Sequence, residues 1–377
     1  MKTIFLSFAL IISLFAAAQQ LSPVEKKLTQ TVEQEMEQTL QLLRQSVDIN
    51  SGTYNITGVR AVGELYAKEL RKLGFTVEWI SLPDSLKRAG HLVAYRKGTK
   101  GKKLFLIGHL DTVFEPDMPT NPFTLLNDST ATGQGINDMK GGDVAIIAAL
   151  KAMHQYDLLD QTTITVYMTG DEESAGRPRG VSRGDFITRA QQHDIALAFE
   201  TASGMNTVAT ARRGASGWKL EVEGKQGHSS GVFGNAGYGS IYEATRIINS
   251  FRERLSKEQY LTFNPGLIVG GSEVSYNDEA QQGQVAGKTN IISPRTYANG
   301  DLRFLSEEQK ENARNVMREI VGQSLPGTKS TIRFSDGIPS MPPTEGNIKL
   351  AAQLSEVSEA LGFGKVSPGN PGSRGAG

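Results

Sequence analysis

Cysteine is absent from the 377 residues, which excludes disulfides, thiolate metal ligands and a cysteine nucleophile. Net charge is absent as well. Forty Lys and Arg side chains cancel forty Asp and Glu, so no electrostatic pull toward nucleic acid or an anionic membrane surface exists. Long apolar runs are missing except at the start, where Lys2, the run Ile4 to Phe15 and Ala16-Ala17-Ala18 make up the three regions of a secretory signal. Cleavage is expected after Ala18, leaving an exported chain, periplasmic or secreted, with no membrane contact. That run is too short to span a bilayer comfortably. Histidine is scarce, with only His91, His109, His154, His193 and His228 available as imidazole donors.

What is present is a repeated pattern of apolar runs that stop at acids. Phe105-Leu106-Ile107 leads into His109-Leu110-Asp111, Ile164 to Met168 leads into Glu172-Glu173, and Ile195 to Phe199 leads into Glu200. These read as buried strands with polar residues at their carboxyl ends, where open α/β sheets place their chemistry. Between the strands, Ser22-Pro23 caps a long amphipathic helix from Val24 to Val47, a second helix runs over 59–73 and a third over 142–156. Strands are expected at Thr76–Ile80, Leu92–Tyr95 and Leu104–Gly108. The alternation implies an α/β fold with a mainly parallel sheet.

Beyond Arg212 the pattern changes to strand from Trp218, helix 240–255, strand 261–269, strand 284–304 with interruptions, helix 306–321 and strand 330–334. That order is β-α-β-β-α-β, the split arrangement of ferredoxin-like domains. The expected organisation is therefore a signal over 1–18, a catalytic domain made of 19–211 and 342–377, and an inserted domain over 212–341.

An imidazole and several carboxylates form a ligand set for zinc, and a carboxylate shared by two cations suits a two-metal hydrolase. His109 and Asp111 lie two apart and would share a face of an extended strand, so the acid can hold the ring's other nitrogen. Gly133 to Gly142 is a glycine-rich turn into a helix, lacking the third glycine of a dinucleotide fingerprint and the Gly-Lys-Ser/Thr of a phosphate loop. Its glycines would let the backbone set Asp138 between two cations. Glu172 and Glu173 could not point the same way on a continuing strand, so one would bind metal while the other takes a proton from water. His91, His154 and His193 read as structural.

His109-Leu110-Asp111-Thr112-Val113-Phe114, Gly135 to Gly142, Thr169 to Gly176 and Phe199-Glu200 resemble the successive signatures of the di-zinc exopeptidase and amidohydrolase family. That family includes glutamate carboxypeptidase, acetylornithine deacetylase, succinyl-diaminopimelate desuccinylase and aminoacylase. The resemblance implies two zinc ions, with cobalt or manganese as alternatives. His109 and Glu200 would hold one, Glu173 the other, and Asp138 both. Asp111 would orient His109 and Glu172 would be the general base. It also implies a lid that forms a homodimer. His228 in Gly227-His228-Ser229-Ser230 would stabilise the tetrahedral intermediate, while Asn290 and Arg303 would hold a substrate carboxylate.

The implied substrates are small peptides with a free carboxylate. An N-acyl amino acid deacylase is the alternative, and a non-catalytic metal- or peptide-binding relative is a third reading. Relatives close the second metal position with a histidine near the C-terminus, and no histidine here lies beyond His228. The chain is therefore expected to be a piece lacking that stretch.

Overall fold

A computed structural model describes residues 21–202 and 204–373, so the signal over 1–18 lies outside the described residues. The chain divides into two compact units, Met1–Ala202 and Ser203–Gly377.

The first unit begins with α1 (Pro23–Gln34), α2 (Met36–Asp48) and α3 (Ile56–Lys72), followed by β1 (Thr76–Ile80), β2 (His91–Arg96) and β3 (Leu104–His109). A short hairpin, β4 (Thr124–Asn127) and β5 (Thr130–Thr132), precedes α4 (Gly141–Gln155), β6 (Ile164–Thr169), α5 (Arg179–Ala190) and β7 (Ile195–Ala198). Ser22 caps α1 as the Ser-Pro start predicts, and the Glu25 side chain completes a reciprocal cap. The expected single helix over 24–47 is instead two, broken at Glu35. Both pieces pack against α4. A straight helix of that length, about 36 Å, would overrun the 15-residue α4.

The sheet order is β1-β2-β6-β3-β7. β3 pairs in parallel with β6 on one side and β7 on the other, and only β2 is reversed relative to the rest. Helices cover both faces. Val59, Val62, Tyr66 and Leu70 of α3 and Val144 and Ile147 of α4 pack with Leu92, Leu106 and Val166. Phe186 and Ala190 of α5 pack with Val93, Phe105 and Tyr167 on the other face. The chain leaves β3 through α4 to β6, then returns through α5 to β7 across β3. The carboxyl end of β3 is thus a topological switch point. One expectation fails: β7 is largely exposed, because it is an edge strand paired only with β3 among the described residues.

The second unit contains β8 (Thr207–Val208), β9 (Gly214–Gly224), β10 (Gly227–His228), α6 (Gly239–Leu255), β11 (Thr262–Gly271), β12 (Glu273–Asn277) and β13 (Gln282–Ala286). It continues with β14 (Ile291–Ile292), β15 (Arg295–Phe304), α7 (Glu307–Val321), β16 (Thr328–Ile338), α8 (Glu345–Ala360) and β17 (Ser367–Pro368). Its antiparallel sheet, β11-β15-β9-β16, carries α6 and α7 on one face, as the β-α-β-β-α-β order predicts. Alternate residues Trp218, Leu220 and Val222 of β9 bury against Ile247, Phe251 and Met317. In the β12–β13 hairpin, β12 has no counterpart in the sequence reading and β13 overlaps only the start of the expected strand 284–304. Arg212 and Met341, at the two ends of segment 212–341, exchange backbone hydrogen bonds of 2.8 and 2.9 Å. β17 pairs in parallel with β8, on residues that precede that segment.

Candidate active site

Strand register assembles the site. His109 ends β3 level with Thr169 of β6, and Ile107 is level with Ala198 of β7. Two residues further on, Glu200 therefore comes level with His109, and its Oε1 lies 3.7 Å from His109 Nε2. The third element is the turn before α4. Gly142 sits so close to the Phe199 carbonyl that a Cβ would meet it at 2.0 Å, so only glycine lets this helix start against the end of β7. The Thr201 hydroxyl donates to the Asn137 carbonyl at 3.0 Å and ties the same two segments. Asp138 thereby reaches His109, with Oδ1 3.1 Å from Nε2. The Asp138–Met139 peptide is cis.

The other ring nitrogen of His109, Nδ1, is held by the Asp111 carbonyl at 2.9 Å, with the Asp111 carboxylate 3.6 Å away. That carboxylate is fully buried and does more than orient the ring. It accepts from the Thr53 hydroxyl at 2.7 Å and from the backbone N–H groups of Glu172 at 2.9 Å and Glu173 at 3.1 Å. The turn carrying both glutamates is fastened to the residue beside the histidine. β6 stops at Thr169, so the continuing strand on which the adjacent glutamates would diverge is not present. One ligand atom each of His109, Glu172 and Glu173 lie within 4.8 Å of one another, as do those of His109, Asp138 and Glu200.

The electrostatics are those of carboxylates crowded together without enough positive charge. Glu173 is pushed up to about 7, by desolvation first and then by Asp138. Glu172 still reaches solvent but is raised too, by desolvation and by Glu200, Asp111 and Asp138 against the pull of His109. Burial would lower the His109 imidazole. Its contacts with Asp138 and Glu200 outweigh that and hold it well above its ordinary value. Two groups of one imidazole and two carboxylates that share His109 fit divalent zinc, manganese or cobalt.

A second buried acid fixes the far end of the same turn. Asp171 accepts from Gly176 N–H at 2.8 Å and Ser182 Oγ at 2.6 Å, and pairs with Arg183, whose Nη2 also donates to the Asp171 carbonyl at 3.0 Å. His91 lies 4.0 Å from Asp171, accepts from Gly170 N–H at 3.2 Å and contacts the Ser182 carbonyl at 2.9 Å. His193 bridges Thr165 and the Arg189 carbonyl at 2.9 and 2.7 Å. Both histidines are thus structural groups, as their positions in the sequence suggest. Lys140 is buried and donates to the carbonyls of Ser46 and Ile49, both at 2.9 Å, anchoring the Asp138 turn to the end of α2. The sequence reading missed Thr53, Lys140 and Arg183. Each is a lone polar residue whose partner is distant or patternless in sequence.

In the second unit, β10 pairs with β14 and brings His228 beside Asn290, whose carbonyl accepts from Ser229 N–H at 2.9 Å. His228 Nδ1 contacts Ser230 Oγ at 2.8 Å. Arg303 is not with them. Its Nε donates to Asp301 at 2.9 Å, and it lies eight residues along β15 from Arg295, about 27 Å at the rise of an antiparallel strand.

Residues 210–329 match the family described as the peptidase dimerisation domain of M20 type. Carboxypeptidase G2 of Pseudomonas sp. (strain RS-16) is 28% identical over 348 residues, covering 92% of this chain and 77% of that protein. Succinyl-diaminopimelate desuccinylase of Gluconacetobacter diazotrophicus is 25% identical over 305 residues, covering 79% and 76%. Among solved structures, aminopeptidase PepT from Bacillus cereus shares the fold with a TM-score of 0.66 at 18% identity, over 90% of this chain and 85% of that one.

Proposed function

We propose that the chain is a metal-dependent hydrolase of the M20 type, an exported, zinc-dependent carboxypeptidase that cleaves the amide bond of small peptides bearing a free C-terminal carboxylate. The observation that carries this reading is that two pairs of carboxylates, Asp138 with Glu200 and Glu172 with Glu173, each gather with the buried His109. His109, Asp138, Glu200 and Glu173 would hold the ions, with Asp138 shared. A divalent pair at such a site supplies Lewis acidity and acidifies a water. Glu172, kept out of the ligand set, takes the proton as water attacks the amide carbonyl and returns it to the leaving amine. Burial and the neighbouring carboxylates raise its affinity for a proton, the direction a general base needs. Thr53 and Asp111 keep the Glu172 backbone still while this happens.

His228 is assigned to the developing oxyanion, and Asn290 and Arg303 to the substrate carboxylate, where a guanidinium grips through paired hydrogen bonds. The separation of about 27 Å along β15 between the His228–Asn290 end and Arg303 supports a homodimer. One substrate could then meet all three only if two copies contribute. Export rests on the Lys2, Ile4 to Phe15 and Ala16 to Ala18 pattern. The test is hydrolysis of C-terminal glutamyl dipeptides against N-acetyl amino acids by zinc-loaded protein, with and without a chelator. Faster release from dipeptides, lost on chelation and regained with zinc, is expected. Preference for N-acetyl amino acids would give the deacylase reading instead, and no zinc-dependent turnover of either would refute hydrolysis.

A further inference from the structure

Tyr54 is 59% exposed, yet each of its handles is held. Its N–H donates to the Glu115 carboxylate at 3.2 and 3.3 Å. Its hydroxyl meets Ser174 Oγ at 3.0 Å, and the Arg88 guanidinium lies over one ring face at 4.4 Å. Arg88 is itself locked, with Nε donating to the Ser174 carbonyl at 2.7 Å, Nη2 to Ser174 Oγ at 3.2 Å, and Nη1 to the carbonyls of Leu86 and Lys87 at 3.1 and 3.0 Å. The close approach that sets Glu115 under Tyr54 needs Gly52, where a Cβ would lie 2.6 Å from both the Phe114 carbonyl and Glu115 Oε2. Fixing an exposed side chain costs rotamer entropy and buries little apolar surface in return. A ring fixed in this way is pre-organised for a ligand.

The location says which ligand. Tyr54 follows Thr53, whose hydroxyl holds Asp111, and its own hydroxyl touches Ser174, which follows Glu173. Ser174 lies two residues from Glu172, at most about 7.6 Å between Cα atoms. The ring therefore stands at the rim of the carboxylate cluster, with one face backed by a cation and the remainder open to solvent. We propose that Tyr54, backed by Arg88 and tethered by Ser174, is the specificity determinant for the acyl side of the substrate and favours an aromatic group there through ring stacking. This rests on the hydrolase reading above.

Two probes separate the ideas: N-benzoylglycine and N-acetylglycine, which share the leaving amine and the carboxylate. On the zinc-loaded full chain, Tyr54→Leu should lower kcat/KM for the benzoyl compound about fivefold to tenfold, the size of one aromatic contact, and leave the acetyl compound within about twofold. Tyr54→Phe, which keeps the ring, should retain most of the preference. Equal losses on both substrates, or an unchanged ratio, would overturn the proposal. Calorimetric binding of the same two compounds to chelator-treated full chain reads the subsite without turnover. A benzoyl preference that Tyr54→Leu abolishes supports the subsite even where hydrolysis of both compounds fails, which would sink only the hydrolase reading. No preference in the unsubstituted chain overturns the subsite itself.

Discussion

Asp111→Asn is the substitution that best tests how the site is held. The carboxylate accepts three hydrogen bonds at full burial, one on Oδ1 from Glu172 N–H and two on Oδ2 from Glu173 N–H and the Thr53 hydroxyl. An amide of the same shape keeps a single acceptor oxygen. Whichever way it turns, its NH2 faces a backbone N–H, and one buried donor loses its partner. An orphaned buried donor costs about 1–3 kcal/mol, and weakening of the remaining charge-assisted bonds adds about 1 kcal/mol. Against this, burial already pushes the Asp111 carboxyl above its ordinary value, so loss of the charge returns part of the cost. The net expectation is about 2 kcal/mol of destabilisation. Urea unfolding of chelator-treated protein at neutral pH reads it without metal contributing. Thr53→Val, which deletes one of the three donors and leaves both glutamate amides paired, should cost about 1 kcal/mol in the same assay. If metal-free Asp111→Asn unfolds at the same urea concentration as the unsubstituted chain, Asp111 acts only as a charge on His109. The account of a fastened turn would then be wrong.

Glu172→Gln should bind the same amount of zinc and lose about a hundredfold or more in kcat. Metal analysis beside steady-state rates checks this, and retained turnover would remove Glu172 as the base. His91 is buried and held below its ordinary value, with desolvation the largest cause. A base depressed by folding stabilises the fold above its unfolded pKa of about 6.5 and loses that contribution as pH falls toward the depressed value. Relative to His91→Gln, the unsubstituted chain should therefore lose up to about 1.4 kcal/mol per pH unit below about 6.5, read by urea midpoints in a pH series. A pH-independent difference would mean that His91 titrates alike in both states.

The strand ends were legible because an apolar run that stops at an acid carries its own register. His109 and Glu200 follow such runs and parallel pairing levels them, while Glu172 lies in the turn just beyond the run that ends level with His109. The split β-α-β-β-α-β order was legible for a similar reason, since the period changes from two to 3.6 at each boundary. Thr53, Lys140 and Arg183 carried no such signal. Their partners are Asp111, the carbonyls of Ser46 and Ile49, and Asp171, and no spacing rule links a lone polar residue to an acceptor that only the fold brings near. The exposure of β7 escaped as well, because Ile-Ala-Leu-Ala reads alike at the edge of a sheet and at its centre. The break at Glu35 escaped because apolar spacing continues straight through it.

Two buried acids fasten the Asp171–Gly176 turn, and their opposite electrostatics predict what metal should do to it. Burial would raise Asp171, but Arg183 and the donors on Gly176 and Ser182 outweigh it and hold the carboxyl below its ordinary value. Asp111 has His109 as its nearest positive partner and remains raised. The far end of the turn thus carries its own cation, while the near end, where Glu172 and Glu173 sit, lacks one. Ions held by His109, Asp138, Glu173 and Glu200 would give Asp111 the counter-charge that Arg183 gives Asp171. The hydrogen bonds from Glu172 N–H and Glu173 N–H should then strengthen, while that from Gly176 N–H stays as it is. Amide hydrogen exchange with and without zinc reads this directly. Protection should rise at Glu172 and Glu173 by about tenfold, the effect of roughly 1.4 kcal/mol on local opening, and change little at Gly176. Equal protection gains at all three amides would mean that the turn moves as one body and that Arg183 does not set its far end independently of the metal.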